Sequence, residues 1–326
     1  MKPVSLIVCL LTTSLCMAST PMSYDIVVAP DGSGNFKTIQ DAINAVHDNI
    51  TKRTVIFIKT GVYKEKISIS SSKKNLTLLG EDIDKTVITF DDYSKKLIGK
   101  DTLNTWTSYT VTVDADGFVA ENLTFENSAG NVGQAVAVRI ISDKVMFRNC
   151  RFLGHQDTLF AHGIGRIYFL NCYIEGTTDF IFGSAVALFE NCQIHSKKDS
   201  YITAASTPLG NTFGYVFKNC TLTADSGIHK VYLGRPWRAY AKVVYINCNM
   251  GSHIRSEGWD NWKNPDKEKT VYYAEYKCTG PGSDTSGRVS WSKQLTDTET
   301  ENYTIEKIFT RDSVPMPVLG NWNPLK

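Results

Sequence analysis

The chain has 326 residues, enough for a large buried core and long for one compact globular unit. Its 42% hydrophobic and 21% charged residues are ordinary for a water-soluble protein. A net charge of +2 gives no reason to expect a nucleic-acid partner, yet would not repel a polyanion.

Residues 1–18 read as a signal peptide. Lys2 supplies a positive start, residues 5–15 (SLIVCLLTTSL) form an apolar run, and Cys16-Met17-Ala18 offers small residues at a cleavage site. The run is too short to span a bilayer as a stable helix, and Leu15 before Cys16 fits a lipoprotein signal poorly. Residues 19–326 are therefore expected as one domain outside the cytoplasm, either extracellular or periplasmic. No other stretch has the length of a membrane span, so no membrane partner is expected.

The G-x-G at Gly32–Gly34 lacks a strand–helix context and is no nucleotide signature. Directly after it, TIQDAINAV at residues 38–46 puts Ile39, Ala42, Ile43 and Val46 on one helical face, which predicts a short capping helix.

The middle of the chain repeats. VMFRNCRF, IYFLNCYI, ALFENCQI, YVFKNCTL and VVYINCNM carry Asn149, Asn171, Asn191, Asn219 and Asn247, spaced 22, 20, 28 and 28 residues apart. KNLTLL at Asn75 and FVAENLTF at Asn122 fit with Leu for Cys, and the gap of 47 residues between them has room for one further, degenerate coil. Each segment is a short run of β-branched and aromatic residues followed by a break, with no helical period between. Strands recurring at this interval predict an all-β fold, a parallel β-solenoid whose coils bury their apolar sides by stacking. In such a stack each Asn could bond the coil above, and Cys150, Cys172, Cys192, Cys220, Cys248 and Cys278 would form an inner column. Reduced thiols fit that column; disulfides between neighbouring coils are the alternative. Residues 263–269 and 279–286 read as polar loops, and 294–309 as a second short helix. Of five N-x-S/T sequons, Asn75, Asn122 and Asn219 are expected to be buried in the ladder, leaving Asn49 and Asn302 as the better glycan acceptors.

The acids fall on this repeat. Asp157 lies eight residues after Asn149 and Asp179 eight after Asn171, so the two share one phase on adjacent coils. In-register stacking would bring their carboxyl groups to about 5 Å. Such a pair splits its pKa values into a proton donor and an anion; a structural ladder of turn aspartates is the plainer alternative. The flanking residues favour chemistry. Gln134 in QAVAVR and Gln156 in GHQDTLF are uncharged donors suited to an oxyanion. Arg235 in LGRPW can hold one aspartate ionised. Phe182 in DFIFGSA and Trp237 offer faces for a sugar ring.

With those four motifs in order, and with DGSGNFKTIQDAI, GVYKEK, FVAENLTFENSAG and YAEYKCTGPGSDTSGRVSW besides, the sequence resembles the pectin methylesterases over essentially its whole mature length. The resemblance implies a right-handed parallel β-helix, and a monomer that acts on methylated homogalacturonan without cofactor or metal. By position it implies Asp179 as nucleophile, Asp157 as general acid and base, and Gln134 and Gln156 as oxyanion donors. It further implies Arg235 as the group orienting the nucleophile, and Phe182 and Trp237 as sugar contacts. His155 and Ser184 depart from residues common in the family, with His155 read as a wall residue of the cleft.

Two rivals stand beside this reading. A glycosidase or lyase on the same fold would also accept a close carboxylate pair, although no acid cluster suited to calcium is evident. A non-catalytic binding solenoid would lack the catalytic set. No G-x-S-x-G, H-E-x-x-H or C-x-x-C supports a serine-elbow or zinc hydrolase.

Overall fold

Seven asparagines, Asn75, Asn122, Asn149, Asn171, Asn191, Asn219 and Asn247, have φ between 51° and 56°. Asn is the side-chain-bearing residue that best tolerates this left-handed conformation, and at each position it turns the chain from one short strand into the next. The structure, a computed structural model, describes residues 23–310 and 320–326. The expected signal peptide lies outside the described residues.

A representative coil consists of strands β1 (Val145–Arg148), β2 (Arg151–Leu153) and β3 (Leu159–Ala161), and the next of β4 (Arg166–Leu170), β5 (Tyr173–Gly176) and β6 (Ile181–Gly183). Each strand pairs in parallel with its counterpart one coil on: Phe147 with Phe169, Phe152 with Ile174, Leu159 with Ile181. Repeated along the chain, this builds three parallel sheets of 11, 8 and 7 strands, the right-handed parallel β-helix expected.

Because the register is exact in phase, like side chains stack on like. Phe147, Phe169, Phe189, Phe217 and Tyr245 form an inner column with ring centroids 5.3, 4.6, 4.5 and 4.5 Å apart. Beside it runs the cysteine column. All six thiols are free, five of them buried, and they donate to nearby carbonyls, as Cys150 Sγ does to Arg148 O. The reduced reading therefore holds, and burial pushes the Cys150 thiol up to about 12.

Three details differ from the sequence reading. First, the asparagine side chains are half-buried or exposed, not buried, and the ladder bonds given by Asn149 Nδ2 and Asn171 Nδ2 are long, at 3.5 and 3.4 Å. Their main role is the backbone bend. Second, the gap between Asn75 and Asn122 holds no extra coil: Leu76–Gly80 pairs directly with Val119–Glu121. The surplus is one excursion that leaves after Thr86–Phe90 and rejoins at Val111–Val113, carrying a small antiparallel hairpin and a turn of 3-10 helix at Thr105–Thr107. Third, residues 294–309 form two single turns, Asp297–Thr300 and Ile305–Ile308, each with its own threonine cap, Thr296 and Thr304. They lie along the outside of the 11-stranded sheet, where Leu295, Ile308 and Phe309 cover Met146, Tyr168 and Leu188.

The N-terminal helix matches its expectation. It spans Ile39–Ala45, is capped by Thr38, and buries Ile39, Ala42 and Ile43 in the main core, covering apolar residues that would otherwise be exposed at the first coil. The 263–269 and 279–286 loops each hold a short 3-10 turn. No helix of the described residues is long and apolar enough to cross a membrane.

Candidate active site

Asp157 and Asp179 sit at the corners that open β3 and β6, each two residues before the strand. Both have positive φ, 67° and 50°, so the chain bends sharply at each and turns its carboxyl toward the 7-stranded face. Since Leu159 pairs with Ile181, the two aspartates occupy equivalent positions on strands about 4.8 Å apart. Backbone bonds fix the corners across coils: Asp157 N donates to Thr178 O at 3.1 Å, and Asp179 N to Tyr201 O at 2.8 Å.

The two acids have different surroundings. Arg235, from Tyr232–Pro236 two coils on from Asp179, donates from Nε to Asp179 Oδ1 at 2.9 Å and from a terminal nitrogen to Oδ2 at 2.7 Å. No described residue donates a hydrogen bond to the Asp157 carboxyl, and Asp157 is only 8% exposed. Burial, and then the charge on Asp179, push the Asp157 carboxyl well above the usual carboxylate range, with Arg235 opposing. Burial raises Asp179 as well, but here the Arg235 hydrogen bonds and charge oppose it directly. The single proton that two crowded acids share therefore rests on Asp157, leaving Asp179 as the anion in the arginine fork.

Both acids open into a cavity of about 480 Å³. Gln134 and Gln156 line it and are bridge partners on adjacent coils, Ala135 N donating to Gln156 O at 3.0 Å. Phe182 and Trp237 line it too. All seven residues singled out from the sequence thus meet in one cleft.

Other residues here escaped the sequence reading. Phe160 stacks on Phe182 at 4.2 Å and 6°, and the 22-residue step that links the aspartates also links these two rings. Trp106, at the end of the excursion, meets Phe160 edge-on at 5.5 Å. Arg139 holds that wall, donating to Trp106 O at 3.0 Å with its guanidinium 4.6 Å from the indole, and Lys66 Nζ bonds Thr107 O at 2.7 Å. Trp262 closes the far side over Arg235. Both tryptophans come from loops, where no strand phase announces them.

His155 does not line the cavity, so the wall role falls away; it neighbours Lys197 and Glu175 instead. Ser184 ties down the loop of the preceding coil, accepting from Gly163 N at 2.9 Å and meeting His162 Nδ1 at 3.1 Å. Among the described residues no group of three or more His, Cys, Asp or Glu is placed to hold a metal ion.

Comparison with known proteins agrees with this geometry. The family model described as Pectinesterase matches residues 25–312. Pectinesterase 31 of Arabidopsis thaliana is 41% identical over 297 residues, covering 88% of this chain and 92% of its own. Several Arabidopsis proteins named as pectinesterase/pectinesterase inhibitor are longer, and the chain spans about half their length, 52–54%. Among solved structures, the pectin methylesterase from carrot superposes with a TM-score of 0.83 at 36% identity, covering 89% of this chain and 94% of that one. A pectin methylesterase in complex with a hexasaccharide gives 0.79 at 31% identity, covering 93% and 99%. Fold and matches together define a carboxylic ester hydrolase built on a β-helix. More narrowly, the chain belongs to the pectinesterase family.

Proposed function

We propose that this protein hydrolyses the methyl esters of pectin through an acyl-enzyme on Asp179, with Asp157 as general acid and base. The observation that carries the reading is the asymmetric pair: Asp179 held by two bonds from Arg235, and Asp157 buried beside it without a hydrogen-bond donor among the described residues.

In the first half-reaction a carboxylate oxygen of Asp179 attacks the C6 carbonyl of a methylated galacturonate. The carbonyl electrons move onto oxygen, where the amides of Gln134 and Gln156 donate hydrogen bonds. The tetrahedral intermediate collapses, the methoxy C–O bond breaks, and Asp157 gives its proton to the departing oxygen, releasing methanol. Asp157 is now an anion and takes a proton from water, which attacks the acyl-enzyme. Collapse restores Asp179 and frees the galacturonic acid, whose carboxyl gives its proton to solvent, while the proton taken from water stays on Asp157. Phe160, Phe182 and Trp237 supply apolar faces against which a sugar ring can pack.

The same reading takes residues 1–18 as a cleaved leader and 19–326 as a single catalytic domain, secreted and monomeric, acting on the cell-wall polymer with no cofactor and no nucleic-acid partner. The test is methanol release from highly methylated pectin with no fall in viscosity. Chain cleavage without methanol would favour a glycosidase or lyase instead. Asp157→Asn and Asp179→Asn should each lose turnover while still folding and binding the polymer; full activity in either removes the mechanism.

A further inference from the structure

The surroundings of Arg235 extend well beyond the cleft. Its guanidinium lies between two aromatic rings, 3.7 Å from the centroid of Trp262 and 3.9 Å from that of Tyr201. Tyr201 then stacks on Tyr232, its register partner on the next coil, at 5.2 Å and 12°. Tyr232 in turn faces Arg255 at 4.8 Å, and Arg255 is forked onto Glu257 by bonds of 2.9 and 3.3 Å. A column of three rings and two cations, with a cation at either end of the Tyr201–Tyr232 stack, thus runs from the cleft wall to a partly exposed ion pair. Its inner end is held under constraint: Trp262 has φ 58°, in a region bulky residues avoid, and its N–H bonds Asp260 Oδ1 at 2.7 Å. Tyr201 does not line the cavity.

We propose that this column is a positioning device in which Tyr201, acting through Arg235, fixes the orientation of Asp179. The inference rests on the reading of Asp179 as nucleophile, and the need for the device follows from that chemistry. When Asp179 forms its anhydride bond to the substrate acyl group its negative charge is gone, and Arg235 loses its counter-charge for the lifetime of the intermediate. Attraction between a cation and a ring face needs no anion. The two rings keep the guanidinium in place until hydrolysis returns the carboxylate to the fork. A ladder residue at the start of its strand is thereby recruited to the reaction without touching substrate.

The test compares Tyr201→Phe, which keeps the ring, with Tyr201→Leu, which removes it. Tyr201→Phe should stay within about twofold of the parent in kcat and KM. Tyr201→Leu should lower kcat about tenfold, with KM changed by no more than about twofold, and move the acid limb of the kcat/KM profile to higher pH. The titratable groups facing Asp179 are Asp157, Arg235, Asp260, Tyr273 and Tyr201 itself; both phenols are pushed up by burial and stay neutral through the acid limb, so the limb reports how well Arg235 is held. Parental kcat and acid limb in Tyr201→Leu, or equal damage in Tyr201→Phe, would overturn the proposal. If Tyr201→Leu does not fold, Tyr232→Leu decides: it should show the same shift in smaller measure, and a parental profile there refutes the column. Arg235→Gln, assayed alongside, separates the two levels. An inactive Arg235→Gln with a normal Tyr201→Leu sinks the column alone, whereas an unimpaired Arg235→Gln sinks the reading beneath it.

Discussion

Replacing Arg235 with Gln removes the fork that holds Asp179. Two charge-assisted bonds, at 2.9 and 2.7 Å, are lost. Hydrogen bonds to charged groups contribute about 1.5–3 kcal/mol each. A glutamine amide can restore one neutral bond of about 1 kcal/mol. The side chains are 19% and 8% exposed, so solvent replaces little of what is removed. A net loss of about 2–5 kcal/mol follows, and if it falls on the reacting form of the nucleophile it lowers kcat/KM by about 30- to 5,000-fold. The direction of the pH effect follows from the same geometry. Burial already raises the Asp179 carboxyl, and Arg235 is what opposes it. Without the cation Asp179 ionises only at higher pH, and the acid limb of the profile moves up. Arg235→Lys, which keeps a charge but not the planar fork, should fall between the two. The assay is initial-rate methanol release across a pH series on one pectin of fixed methylation. A loss of less than about threefold with an unmoved acid limb would show that the fork does not prepare the nucleophile.

Asp157→Asn should abolish turnover yet raise the melting temperature at neutral pH. The folded-state pKa of Asp157 lies above its unfolded value, so its stabilising proton uptake is full below the unfolded pKa and is lost as pH rises through the folded pKa. The variant escapes that loss, so its advantage should appear as pH rises and vanish in acid; an unchanged gap across a thermal-melt pH series would contradict the assignment. Phe169→Ala, in the middle of the stacked column and fully buried, should cost about 3–5 kcal/mol in denaturant unfolding. A cost below about 1 kcal/mol would mean the column is not carrying the core. The native protein should resist thiol reagents until unfolded, with the half-buried Cys278 reacting first, and reductant should not move the melting temperature. A reductant-sensitive melt would instead reveal bridges between coils.

The coils were legible in the sequence because the repeat carries two separate demands. Asn supplies the left-handed corner and the next residue must be small and apolar to face inward, as at Asn149-Cys150 and Asn171-Cys172. The same phase carries the aspartates, and it extends to Phe160 and Phe182. What the phase could not reveal is anything that leaves the solenoid. An excursion and a degenerate coil have the same length, so the repeat alone does not separate them before Val111, and Trp106, inside the excursion, has no strand phase to announce it. Near the C-terminus residues 294–309 read as one helix, but two threonine caps, Thr296 with Glu299 and Thr304, each start a new turn and break it into pieces. The burial of sequon asparagines was inferred from the repeat alone, and a corner residue turns its side chain outward.

The excursion after Phe90 has a consequence for how this scaffold can change. Ladders close directly across its base, joining Leu78 to Ala120 and Ile69 to Val113, so the stack does not register how long the detour is. One side of the binding trough is therefore an interchangeable panel bolted to a frame that carries the acids. Lengthening, trimming or swapping that panel would reshape which polymer segments can lie alongside it. The spacing of Asp157 and Asp179, fixed two coils away, would stay as it is.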